Sequence, residues 1–149
     1  MIIGDGRIEL EEIADRSYDV LVVDAFSSDS IPVHLLTLEA IDLYMRKLTD
    51  DGVLIFHISN KHLELKSVVG AIGNALGLSV RTAQFVPQNT AETLGMATPS
   101  DVAVIARNDR ILGHVLDDQR WQVPDSQGTK AWTDGYSNLI AALWRRYAR

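Results

Sequence analysis

Hydrophobic positions along the 149-residue chain fall into two rhythms. Nearly unbroken apolar runs occur at Tyr18 to Ala25 (YDVLVVDA), Gly52 to Ser59 (GVLIFHIS) and Asp101 to Ala106 (DVAVIA). Runs rich in β-branched residues, without polar alternation, predict strands covered on both faces, as in parallel sheets. Leu78 to Val86 (LSVRTAQFV) alternates instead, which predicts a strand nearer an edge. Between these runs the period changes to that of a helix. Leu35, Leu38, Ile41, Met45 and Leu48 predict a helix over Leu35 to Leu48, closed by a turn at Asp50-Asp51-Gly52. Val68, Val69, Ile72 and Leu76 form the stripe of a helix over His62 to Leu76, with Gly77 as its C-cap.

Shorter helices are expected at Arg7 to Arg16 and Asp109 to Asp118. A C-terminal helix is expected over Tyr136 to Tyr147, with Asp134 or Ser137 near its start. Residues 119–131 read as loop, and Pro87 to Thr98 as a polar loop. Strands alternating with helices imply right-handed crossovers and a parallel core. The connection from Val86 to Asp101 is too short and polar for a crossover helix, so the last two strands should be antiparallel. The expected fold class is α/β: a mixed sheet, mostly parallel, with a C-terminal antiparallel strand pair and helices on both faces. The length fits one domain over residues 1–149, and neither repeat nor linker breaks the chain.

Composition narrows the function classes. Fourteen Lys and Arg against twenty Asp and Glu give a net charge of −6, which disfavours nucleic acid or an anionic membrane as the main partner. With no cysteine, disulfides, thiol nucleophiles and cysteine-based metal sites are excluded. No apolar run reaches the ~18 residues of a membrane span. The N-terminus lacks the basic and apolar regions of a signal peptide, so a cytoplasmic location is expected.

The candidate chemistry sits where strands end. In open α/β sheets, ligands bind outside the carboxyl ends of the strands. Asp24 ends the run VLVVD, and Asp29 follows in the loop before Pro32. A carboxylate there can bind an amine or accept its proton. Equally, Asp24 can simply end a strand while Asp29 caps the helix after Pro32. Gly4-Asp5-Gly6 permits a tight turn and close approach to a ligand. Asp5 there can receive an exocyclic amine or merely cap a helix.

His57 lies near the carboxyl end of its strand, where it can face the crevice or sit satisfied in the core. The four histidines form no His-x-x-x-His pair and no Glu partner has zincin spacing, so no metal site is expected. Ser27 and Ser28 lack the Gly-x-Ser-x-Gly elbow of a serine hydrolase. Trp132-Thr133-Asp134-Gly135-Tyr136 reads either as a lid over the crevice or as an anchor for the last helix.

The ordered set Gly4-Asp5-Gly6-Arg7, Tyr18 to Asp24, Ser27-Ser28-Asp29 and Asp51-Gly52-Val53-Leu54 resembles the spermidine synthase (polyamine aminopropyltransferase) family. That family belongs to the class I S-adenosylmethionine-dependent methyltransferase fold. DAFSSDSIPVHLLT and WTDGYSNL look closest to its bacterial branch. The resemblance implies a Rossmann-like sheet and aminopropyl transfer from decarboxylated S-adenosylmethionine to a polyamine such as putrescine. It implies that Asp5, with Gly6, meets the adenine amino group of the co-substrate. Asp24 would deprotonate or orient the attacking amine, and Asp29 would hold the donor's amine. Decarboxylated S-adenosylmethionine or S-adenosylmethionine would be a co-substrate, with no tightly bound cofactor. The family spacing is Asp-Ser-Ser-Asp, whereas Asp24-Ala-Phe-Ser-Ser-Asp29 is two residues longer.

The family fold begins with two strand–helix units before Gly-Asp-Gly, the first carrying a glycine-rich loop. Here only Met1-Ile2-Ile3 precedes Gly4, so the chain resembles the C-terminal half of the domain. Without a neighbouring strand, residues 18–24 would form an exposed apolar edge. A dimer through that edge, or a separate N-terminal half, is the expected partner. The competing readings are a non-catalytic self-associating domain and a methyltransferase fragment.

Overall fold

The computed structural model describes residues 4–24, 32–86 and 99–147. Its elements in chain order are α1 (Gly6–Glu11), β1 (Tyr18–Val23), a 3-10 turn (Val33–Leu35), α2 (Leu38–Lys47), β2 (Leu48–His57), α3 (Lys66–Leu76), β3 (Ser79–Phe85), β4 (Ser100–Ala106), α4 (Asp109–Leu112), a second 3-10 turn (Gly113–Asp117) and α5 (Leu139–Tyr147). The four strands form one sheet in the order β1-β2-β4-β3. β1 and β2 run parallel, while β4 is inserted antiparallel to both β2 and β3. The expected mixed sheet and antiparallel terminal pair are thus present, and β3 is the edge strand that its alternation predicted. The polar loop expected at Pro87 to Thr98 lies outside the described residues.

The main core fills one face of this sheet. Leu54, Phe56, Ala103 and Ile105 from the strands pack with Leu36, Ile41, Tyr44, Val68 and Ile72, all essentially inaccessible to water. Burying each such side chain contributes roughly 1.5–3 kcal/mol, so this layer is the main source of stability. α3 lies close on β3: a Cβ added at Gly73 would stand 2.2 Å from Val80 Cγ2, so glycine is required there. Gly77 ends α3 in the left-handed region at φ 67°, as the C-cap reading anticipated. The opposite face is covered more thinly. Leu112 of α4, with Ile111, Val115 and Trp121, packs on Val104 and Ala106 beside Val53 and Ile55. Towards β1 the cover ends, and Val20 and Val22 are 54% and 60% exposed.

The expected turn at Asp50-Asp51-Gly52 is a correction. α2 stops at Lys47 and β2 begins at Leu48 without an intervening loop. β2 absorbs the junction as an irregularity, because Tyr18 pairs with Leu48 and Val20 with Val53. The physical reason lies far along the chain. Arg107 spreads its guanidinium over the junction, donating to the carbonyls of Met45 (2.6 Å), Leu48 (3.3 Å) and Thr49 (2.6 Å). It supplies the carbonyl partners that a closing turn would otherwise provide.

Thr37, whose Oγ1 accepts from Ala40 N at 3.2 Å, caps α2, and the capping role considered for Asp29 lies outside the described residues. Asn138, accepting from Ala141 N at 2.9 Å, caps α5, with Ser137 beside it near the helix start.

Candidate functional site

Parallel pairing of β1 with β2 builds the site. Register partners run Val20 to Val53, Leu21 to Leu54, Val22 to Ile55 and Val23 to Phe56. The next step brings Asp24 beside His57 at the carboxyl ends of adjacent strands. His57 Nδ1 and Asp24 Oδ1 are 2.6 Å apart. Alternation places Val20, Val22 and Asp24 of one strand, with Val53, Ile55 and His57 of the next, on the thinly covered face. Asp24 is 68% exposed and His57 32%, so the pair is open to a ligand from solvent. An ion pair this exposed adds little stability. Its chemical content is larger: a carboxylate hydrogen-bonded to one ring nitrogen fixes which nitrogen carries the proton.

Asp5 occupies a second position. Its Oδ1 accepts from Arg7 N (2.9 Å) and Ile8 N (3.3 Å), capping α1, while Oδ2 meets His34 Nε2 at 2.9 Å. The hydrogen bonds from the Ile8 and Arg7 backbone, followed by the His34 side chain, hold its carboxyl below the usual range. Asp5 is therefore an ionised acceptor at neutral pH, and it remains partly exposed. The capping alternative holds for Asp5. Its second oxygen also ties the α1 turn to the segment that follows β1. Gly6 is the first residue of α1, and a Cβ there would meet nothing within 4 Å. No hydrogen bond or ion pair joins Asp5 to Asp24 among the described residues, so each stands with its own histidine. Asp29 lies outside the described residues.

Trp132-Thr133-Asp134-Gly135-Tyr136 anchors; it does not cover the crevice. Trp132 is 1% exposed within the main core, and its carbonyl accepts from Leu38 N at the start of α2 (2.8 Å). Asp134 receives both Arg7 guanidinium nitrogens, at 2.7 and 2.6 Å, and the Thr37 hydroxyl at 2.8 Å. The lid reading is thereby corrected. The cluster holds the first turns of α1 and α2 together, which sets where Asp5 and His34 stand.

Sequence reasoning singled out His57 without its partner. The signal was present, because laying VLVVD over VLIFH residue by residue aligns Asp24 with His57. His34 and the Arg7–Asp134 pair carried no such local signal.

No helix among the described residues is long and apolar enough to cross a membrane. No protein-family model and no curated protein matches the sequence. Solved structures do match the fold. A probable spermidine synthase from Corynebacterium glutamicum aligns over 93% of this chain and 55% of its own, at 18% identity and a TM-score of 0.56. MNMC2 from Aquifex aeolicus aligns over 99% of this chain and 45% of its own, at 17% identity and a TM-score of 0.50. The chain spans about half the length of these structures. At such identities the likeness is one of fold: an open mixed α/β sheet with helices, as the sequence predicted.

Proposed function

We propose that the chain belongs to a transferase that takes an S-adenosylmethionine-type sulfonium co-substrate and passes its aminopropyl group to an amine. The observation that carries this reading is the Asp24–His57 pair at the carboxyl ends of two parallel strands. That is where open α/β sheets bind ligands. A proton-accepting pair there suits an amine, which must lose a proton to become or remain a nucleophile. Asp5 supports the reading as an ionised acceptor of the kind an adenine amino group requires. Likeness of fold to a probable spermidine synthase agrees with it. The residues present fit a cationic acceptor better than an anionic one. Positioning and proton removal are the protein's contribution, and the leaving group is carried by the sulfonium.

Calorimetry with decarboxylated S-adenosylmethionine, S-adenosylmethionine and methylthioadenosine tests the proposal. Binding of the decarboxylated donor in preference to the parent supports aminopropyl transfer. Preference for the parent turns the reading to methyl transfer. Binding of none removes the catalytic reading for this chain. A second reading, a domain that self-associates without catalysing, draws on the exposed Val20 and Val22 of β1. It expects Asp24→Asn to leave the assembly state unchanged.

A further inference from the structure

We propose that His57, rather than Asp24, is the proton acceptor of this site, and that Asp24 is its positioning residue. Nδ1 of His57 faces Asp24 Oδ1 at 2.6 Å, and an ionised carboxylate has no proton to donate. The proton in that bond therefore sits on Nδ1. In the neutral ring this leaves the lone pair on Nε2, the nitrogen turned away from the carboxylate. Among the described residues Nε2 makes no hydrogen bond. Register fixes the arrangement: with Val22 opposite Ile55 and Val23 opposite Phe56, the ring stands on the same face as Asp24. Val102 of β4, opposite His57, forms its other flank. An apolar neighbour on one side and a carboxylate on the other orient the imidazole without occupying Nε2.

The assignment rests on the transferase reading for its chemical step. The amine nitrogen forms a bond to the carbon next to the sulfonium sulfur. The carbon–sulfur bond breaks, and its electron pair stays on sulfur as a neutral thioether. The proton shed by the new ammonium goes to His57 Nε2. Of the two groups, a neutral imidazole is the stronger base, so it is the better suited to take the proton. Asp24, already engaged at Nδ1, stabilises the imidazolium formed.

Ring-nitrogen NMR of the whole chain, with His57 assigned through His57→Gln, tests the proposal without a sulfonium donor. Above neutral pH, His57 should show a protonated Nδ1 and an unprotonated Nε2. Adding 1,4-diaminobutane should move the Nε2 resonance, and His57→Gln should lose that response entirely. Asp24→Asn should shift the ring towards the Nε2–H form, and Asp24→Glu should restore the original tautomer. A merely structural ion pair would not transmit an amine response to Nε2. A wild-type ring already protonated at Nε2, or an Nε2 signal indifferent to the diamine, overturns the proposal. Donor calorimetry decides the transferase reading separately. If no sulfonium compound binds while Nε2 still answers the diamine, the proton-acceptor assignment stands as an amine site and the transfer step falls.

Discussion

Arg7 and Asp134, 127 residues apart in sequence, face each other through two parallel hydrogen bonds of 2.7 and 2.6 Å. The Arg7 side chain is 17% exposed, so its guanidinium is largely withdrawn from water. It also donates to the His34 carbonyl at 3.0 Å, and Asp134 in turn takes the Thr37 hydroxyl. One bidentate pair thus joins α1, the segment after β1, the start of α2 and the turn before α5. Planar two-point pairing is specific to arginine. Arg7→Lys should therefore cost about 1–2 kcal/mol and Arg7→Ala about 2–3 kcal/mol, read as a lower urea midpoint with an unchanged slope. Variants with wild-type midpoints would show that the pair is mere surface contact.

Acid should unfold the chain through a small set of carboxylates. Asp134 is held below its ordinary range first by the Arg7 side chain and Asp15 by the Lys47 side chain. Asp5 is lowered first by the Ile8 backbone and Asp118 by the Arg120 side chain. A folded-state value below the unfolded one gives stability that is present above the unfolded value, near 4, and lost as pH falls through the folded one. Stability should be level above about pH 5 and should decline below about pH 4. In Arg7→Gln that decline should be shallower, because Asp134 then differs less between the two states. Urea titrations at stepped pH measure both slopes; identical slopes would contradict the role given to Arg7.

Arg107 offers a test of the helix–strand junction. Its two terminal nitrogens serve the carbonyls of Met45, Leu48 and Thr49 together, a spread that one ammonium cannot match. Arg107→Lys should lose about 1–2 kcal/mol, and Arg107→Met, which leaves those carbonyls unserved, about 2–3 kcal/mol. Hydrogen exchange should localise the effect to the last turn of α2 and the first residues of β2. Uniform loss of protection across the sheet would instead mean that the arginine acts through global packing.

What the sequence disclosed follows from the range of each interaction. The runs VLVV and VAVIA and the helical stripe at Val68, Val69, Ile72 and Leu76 are local patterns, and each marked its element. The antiparallel β3–β4 pair was legible from the short connection between them. Asp24 was legible because a strand ending in an acid is itself a pattern. His57 required a further step, the alignment of two strands. The junction at Lys47 and Leu48 was not legible, because its cause is Arg107, 58 residues beyond Thr49. Nor were Asp5–His34 and Arg7–Asp134, whose partners are set by how α1 and the turn at Asp134 meet in space. The WTDGY cluster read ambiguously for the same reason: an aromatic next to polar residues looks alike whether Trp132 is buried or covers a crevice.

Among the described residues β1 pairs with β2 alone, so the backbone groups on its other side have no strand partner there. Edge strands are usually guarded by lysine, proline, a bulge or a covering loop. The run Val20 to Val23 contains no lysine or proline, and Val20 and Val22 add exposed β-branched surface on one face. A second copy satisfies these groups most simply: two β1 strands paired antiparallel across a two-fold axis present the same residues to each other. The chain should therefore be a dimer by size-exclusion light scattering. Val22→Lys, which sets two like charges near each other in such a pair, should shift it to monomer without unfolding. An exposed apolar stripe elsewhere, Ile140 and Trp144 on α5, serves as the control. Trp144→Ser should leave the dimer intact. Dissociation by Trp144→Ser but not by Val22→Lys would move the interface to α5, and a monomeric wild type at high concentration would remove the edge pairing altogether.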